Sequence, residues 1–186
     1  MWGWLFTDIS GNGFDGTRFN GVTTGNQNGE TIMCFNGTNQ YIERATNLTT
    51  GYPFTMSTWM KSDTTTWLHG IVSFARSSAT NRMYNIEHNG TTLRANAQNT
   101  TARYANATSA LNTNEWFLVT TVFNSNTNRQ IYINGILEWT NTATATYDTN
   151  TTKRLNIWRL ADSSPTNYYD GCVDDVRFYS TALTPG

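Results

Sequence analysis

Side chains able to do chemistry are few in this chain, and several stand together. The 186 residues hold 13 acids, 12 Lys and Arg, two His and two Cys. Asp174 and Asp175 are adjacent in the stretch Gly171-Cys172-Val173-Asp174-Asp175-Val176-Arg177-Phe178-Tyr179. Neighbouring side chains on a strand point to opposite faces, so one carboxylate must approach the core edge or a partner. A second group lies near the start, in Asp8-Ile9-Ser10-Gly11-Asn12-Gly13-Phe14-Asp15-Gly16. Glycines let a loop turn its carbonyls one way, and carbonyls with a carboxylate are the ligand mix of Ca2+. The same residues also suit a turn in which Asp8 caps its own loop N–H groups. Both readings stay open.

Catalytic patterns are missing. Glycoside hydrolysis needs two carboxylates roughly 5–10 Å apart. On one strand face that means acids two or four residues apart. Asp170 and Asp174 have that spacing, but they sit in the closing loop and strand, where a structural or metal role suits them better. Glu87-His88 precedes Asn89-Gly90 and has no matching acid, so it reads as a solvated hairpin tip. No Ser-His-Asp set, phosphate loop or redox motif is present. His69 and His88 lack zinc-site spacing with the cysteines. The expectation is a protein that is not an enzyme.

The elements that position these residues are strands. Phe54, Met56, Thr58 and Met60 share one face of a strand, with Trp59 and Lys61 on the other. Trp59 is expected in the core of a sheet covered on both sides, the alternative being a sheet face that lines a groove. Residues 30–44 read as two strands broken at Asn36-Gly37-Thr38-Asn39, with Phe35 and Tyr41 in the core. Thr64–Gly70 is a polar loop with an aromatic tip. Further strands are expected at Ile71–Arg76, Arg82–His88, Thr92–Gln98 and Ala102–Thr108. Residues 116–123 are apolar on both faces, as a central strand would be. Asn89-Gly90 and Asn134-Gly135 are the dipeptides of two-residue I′ hairpins. Residues 140–152 are polar and fit an exposed edge strand or a loop. Leu155–Leu160 is another strand, followed by a turn-rich loop over 162–170. No stretch keeps a 3.6-residue period, so almost no helix is expected. Many short strands at this spacing suggest an antiparallel sandwich or barrel, and local signals do not choose between them.

Composition removes other classes. The formal net charge is -1, aromatics are 13% of residues, and there are 34 Thr and 23 Asn. That describes one folded domain over residues 1–186 with an aromatic core and a neutral polar surface. Basic residues are scattered singly, which argues against nucleic acid. No apolar run approaches the roughly 18–20 residues of a membrane span. The opening MWGWLFTD has neither the basic nor the apolar region of a signal peptide.

The stretch DGCVDDVRFYSTALT (170–184) resembles the closing strand of a laminin G-like domain of the concanavalin A-like lectin/glucanase superfamily. The stretches WLFTDISGNGFDG (4–16), IMCFNGTNQYIE (32–43), PFTMSTWMKS (53–62), NEWFLVTTVFN (114–124) and IYINGILE (131–138) are similar to that family in the same order. The resemblance selects a two-sheet antiparallel jelly-roll sandwich. It implies that Cys34 and Cys172 lie on neighbouring strands, where a disulfide and two buried thiols are both open readings. It also implies a Ca2+ where the first loop meets the final strand, with Asp8, Asn12 and Asp174 as ligands. The Glu-x-Asp-x-Glu of the superfamily's glucanases has no counterpart here.

The resemblance points to a lectin-like module on an extracellular, cell or virion surface, with a glycan or glycoprotein as partner. Aromatic faces cover the C–H surfaces of sugars while polar groups satisfy the hydroxyls. Trp67, Trp158 and Tyr168 are the aromatic candidates, with His69 and Arg82 as polar partners. The alternative is a structural display domain of a virion, fibre or adhesin that associates with itself, with Trp2 and Trp4 as packing anchors.

Overall fold

A computed structural model describes residues 5–184. Trp2 and Trp4 lie outside the described residues. Fifteen strands form two antiparallel sheets, and among the described residues there is no helix. The first sheet runs β1 (Leu5–Phe6), β2 (Gly16–Phe19), β5 (Tyr41–Ala45), β14 (Lys153–Ile157), β7 (Leu68–Arg76), β8 (Arg82–Asn89), β9 (Thr92–Asn99) and β10 (Thr101–Ala110). The second runs β13 (Ile136–Asn141), β12 (Asn128–Ile133), β11 (Trp116–Ser125), β6 (Phe54–Ser62), β15 (Asp170–Tyr179), β4 (Glu30–Asn36) and β3 (Thr23–Gln27). This is the expected two-sheet sandwich.

Alternation builds the core between the sheets. Phe54, Met56 and Met60 of β6 meet Tyr84 and Ile86 of β8, Val119 and Phe123 of β11, and Leu93, Ala95 and Ala97 of β9. Phe54 stacks on Phe123 and Phe178 at 4.8 and 5.4 Å between ring centres. Small alanines in β9 and β10 leave room for these rings.

The final strand changes parity. Val173 points into the core, and so do Val176 and Phe178, an odd residue followed by even ones. An extra residue must be inserted between them. The register shifts between Asp174 and Arg177, and Asp175 takes a left-handed backbone at φ 50°. A bulge there lets both acids avoid the core. Asp174 turns to the outer face opposite Trp59, and Asp175 pairs in solvent with Arg177 at 2.6 Å.

Several expected elements are corrected. Trp59 is on the outer face and 38% exposed, because its own sheet has nothing stacked on that side. β14 ends at Ile157, and Trp158 leaves the sheet at φ 91°. The hairpin after β8 turns on Gly90-Thr91, with Asn89 paired to Thr92 and Gly90 at φ 60°, the II′ arrangement. Asn134-Gly135 is the expected I′ turn, and Asn28-Gly29 makes another between β3 and β4. Residues 142–152 form a loop that returns Tyr147 to the core. Cys34 and Cys172 face each other on β4 and β15 and form a disulfide with Cα atoms 4.1 Å apart.

Candidate carbohydrate-binding groove

One polar row crosses the outer face of the first sheet. Strand pairing aligns Thr17, Glu43, Asn156, Ser73, Asn85, Asn96 and Tyr104 side by side. In β7, β8, β9 and β14 the residues before and after them alternate to the core. Asn, Ser and Glu on this scale of a sheet's face need partners, since each is buried or half-buried.

Residues 158–169 cover half of this face. The loop starts and ends in the core with Trp158 and Tyr169, whose rings lie 5.0 Å apart. Between them it folds outward over β7. Gly70 permits this: a Cβ there would lie 2.6 Å from the Leu160 backbone nitrogen. Leu160 and Ala161 then pack on Ala75 and Met83 as a small second core. Ala161 N–H donates to Ser73 Oγ at 3.2 Å. Arg154 donates to the carbonyls of Ala161 and Asp162, and Arg154 and Arg159 both donate to Glu43, at 3.1 and 2.7 Å. The loop is a fixed wall.

The other half of the face, over β8, β9 and β10, stays open. A groove of about 490 Å3 runs between the wall and these strands. Leu68, Met83 and Leu160 line its apolar part, while Asn81, Glu87, Asn96, Gln98, Tyr104 and Asp162 supply polar groups. In its floor Glu87 accepts from Arg94 Nη2 at 2.6 Å, Asn85 Nδ2 at 3.0 Å and Asn96 Nδ2 at 3.4 Å. Burial raises the Glu87 pKa above the ordinary carboxylate value, while Arg94 and the two amides oppose that rise. The Arg94 guanidinium lies 4.3 Å over the Tyr104 ring. Asn85 Oδ1 accepts from Ser73 at 2.7 Å. Asn96 Oδ1 and Arg94 Nε are buried with no protein partner. Both atoms are covered, so the surface the groove offers is the Tyr104 ring with the polar side chains of Asn81 and Gln98.

The solvated-tip reading of Glu87-His88 is corrected. Glu87 is 1% exposed on the groove side, and His88 is fully buried on the core side. The sequence carried a signal for this. Tyr84 and Ile86 alternate with Asn85 and Glu87, and Leu93, Ala95 and Ala97 with Arg94, Asn96 and Gln98. Folding the hairpin pairs Asn85 with Asn96 and Glu87 with Arg94.

The sequence-derived candidates flank this groove without lining it. Trp67 is 81% exposed at the tip before Leu68. His69 places Nδ1 2.5 Å from the Tyr168 carbonyl and Nε2 2.9 Å from that of Thr66, so it braces two loops. Arg82 donates to the carbonyl of Asn81, which lines the groove. Tyr168 follows the lining residue Asn167 and is half-buried. Trp158 is corrected: it is fully buried against Phe35 at 4.1 Å and offers no face to a ligand.

The Ca2+ ligands are not gathered either. Asp8 accepts from the N–H groups of Ser10 and Phe14 and from the Ser10 hydroxyl, and these hydrogen bonds lower its pKa. Asn12 bonds Ser10. Asp174 belongs to the other sheet, where it accepts from the Asp175 N–H. Among the described residues no three His, Cys, Asp or Glu side chains cluster for a metal. A Ca2+ shared by Asp8, Asn12 and Asp174 does not fit this arrangement, in which Asp8 caps its own turn.

Residues 36–186 match the sequence profile of the laminin G domains of the concanavalin A-like lectin/glucanases superfamily. The chain belongs to this family. No curated protein shows a significant sequence match. Among solved structures, domain 4 of AbnA, a GH43 extracellular arabinanase from Geobacillus stearothermophilus in complex with arabinotriose, is similar at TM-score 0.78 and 19% identity over 96% of this chain and 88% of that one. The heptameric SAP-like pentraxin of Limulus polyphemus is similar at TM-score 0.69 and 16% identity, over 83% and 77%. The binding domain of botulinum neurotoxin DC in complex with SialylT gives TM-score 0.70 and 17% identity, over 96% of this chain and 46% of that domain. At these identities the likeness is one of fold.

Proposed function

We propose that this chain is a non-catalytic carbohydrate-binding module on an extracellular or surface protein, with its ligand in the groove over β8–β10. The observation that carries this reading is the groove itself, in which the Tyr104 ring stands among the amide side chains of Asn81, Asn96 and Gln98. The similar domains described with arabinotriose and SialylT support it. The carboxylates of the groove are already committed. Glu87 holds Arg94 and two amides, and Asp162 accepts from the N–H groups of Asn81 and Ser164. These contacts give both carboxylates a structural role, which supports binding over hydrolysis. Binding needs no Ca2+.

The test is a glycan array, followed by titration calorimetry on the best saccharide with wild type, Asn96→Ala and Tyr104→Ala. Binding without added Ca2+, weakened at least about tenfold in each variant, is expected; one lost hydroxyl contact of about 1.4 kcal/mol has that effect. Array silence, or release of reducing sugar from polysaccharides, overturns the proposal. A second reading, a self-associating display domain, rests on Ile136, Leu137 and Trp139, exposed along edge strand β13. Sedimentation of the monomer at high concentration would remove it.

A further inference from the structure

The opposite layer of the sandwich carries a separate cleft. Its outer face has a row in which Asp174 stands opposite Trp59, and Trp59 opposite Leu118. The Asn28-Gly29 turn brings Asn28 and Glu30 to the rim of the same cleft, which has a volume of about 300 Å3 and also meets Trp116. Trp59 is 38% exposed, so part of its indole face is open to solvent. Neither Asp174 nor Glu30 has an ion-pair partner among the described residues; the Asp174 carboxylate accepts from the next backbone N–H.

Two ligand chemistries suit indoles beside carboxylates: a cation, or a sugar. The cation is disfavoured by Lys61, whose ammonium already sits 5.9 Å over the Trp116 ring. A second positive charge there would meet a like charge. A saccharide needs what the cleft offers: an apolar platform, acceptors at Asp174 and Glu30, and donors at Gln27 and Asn28. We infer that the outer face of the second sheet is a second saccharide subsite, with Trp59 as its platform. It stands on observations independent of the groove. Because the two sites lie on opposite outer faces, one module joins two glycan chains, and avidity on a polysaccharide exceeds either affinity.

The test uses the tryptophan indole N–H signals of the 15N-labelled protein during titration with arabinotriose, cellotriose, galactotriose and sialyllactose. The Trp59 signal, assigned by its loss in Trp59→Ala, is expected to move with at least one sugar. It should still move in Tyr104→Ala, which separates this site from the groove. Asp174→Asn keeps the indole and should weaken the affinity read from that shift about tenfold, roughly 1.4 kcal/mol. No movement of Trp59 with any sugar at about 10 mM, where a millimolar site would be mostly filled, overturns the inference. So does movement abolished by Tyr104→Ala. A shift with tetramethylammonium and none with sugars overturns it as well.

Discussion

Arg94 reaches Glu87 across 2.6 Å in the floor of the groove, with the acid 1% exposed and the guanidinium 12%. The pair lies on neighbouring strands in directly opposed positions. It is both the electrostatic anchor of the site and a buried charge that the fold must keep matched.

Arg94→Ala therefore leaves an uncompensated carboxylate under a sheet face. A loss of about 3–5 kcal/mol is expected, read as a lower urea midpoint. Removing both charges together, as Arg94→Leu with Glu87→Gln, should cost less than Arg94→Ala alone, because no unpaired charge remains and the Gln oxygen still accepts from Asn85 and Asn96. If the double change costs more, the pair contributes beyond mutual neutralisation.

His88 sets a pH limit. It is buried between Ser62, His69 and Tyr169, and its Nδ1–H donates to the Gly90 carbonyl at 3.0 Å. Burial, then His69 and Arg94, push its pKa down to about 4. An unfolded His titrates near 6.5, so between those values the unfolded chain binds the extra proton. The stability held by neutral His88 is whole above pH 6.5 and lost as pH falls to about 4. Melting temperatures from pH 7.5 to 4 should fall in this window. His88→Asn should flatten that part of the curve.

Gly70 carries the wall. Its missing Cβ admits the Leu160 backbone, so Gly70→Ala must push the loop off β7. The cost is expected at about 1–3 kcal/mol, with glycan binding in the groove falling alongside. Unchanged melting would mean that the wall shifts freely and does not shape the groove.

The Cys34–Cys172 bond closes a loop with a sequence separation of 138. In the chain-entropy model such a loop contributes about 5 kcal/mol. Free-thiol titration in denaturant should find no free thiol before reduction. Reduction, or the paired Cys34→Ser and Cys172→Ser change, should lower the melting temperature while the far-ultraviolet strand signal remains.

Much of the fold was legible because it rests on local rules. The period-2 runs in β6, β8 and β9 name their core faces, and Asn134-Gly135 fixes its hairpin. Even the bulge of β15 is written in the change of parity between Val173 and Val176. The short strands β2 and β3 were not read, because Gly and Asn interrupt them and no apolar alternation marks a buried face. They are held by pairing to β5 and β4. The candidates Trp67, His69, Arg82 and Tyr168 fell beside the groove, since aromatic and polar loop residues mark a rim and not a floor.

By itself, then, the amino-acid order determined which faces are apolar, that a hairpin turns at Asn134-Gly135, and that the architecture is built of antiparallel strands. Those are properties of residues a few positions apart. Only the tertiary structure decided what lies on the outer faces. Loop 158–169 returns over β7, at positions far away in the chain, and turns half of one polar face into a wall. Asp174 finds Trp59 only once β15 pairs with β6. Exposure of Trp59 depends on what is stacked above it, and nothing within β6 encodes that; burial of Glu87 needs the wall as well as the β8–β9 pairing that the alternation signals.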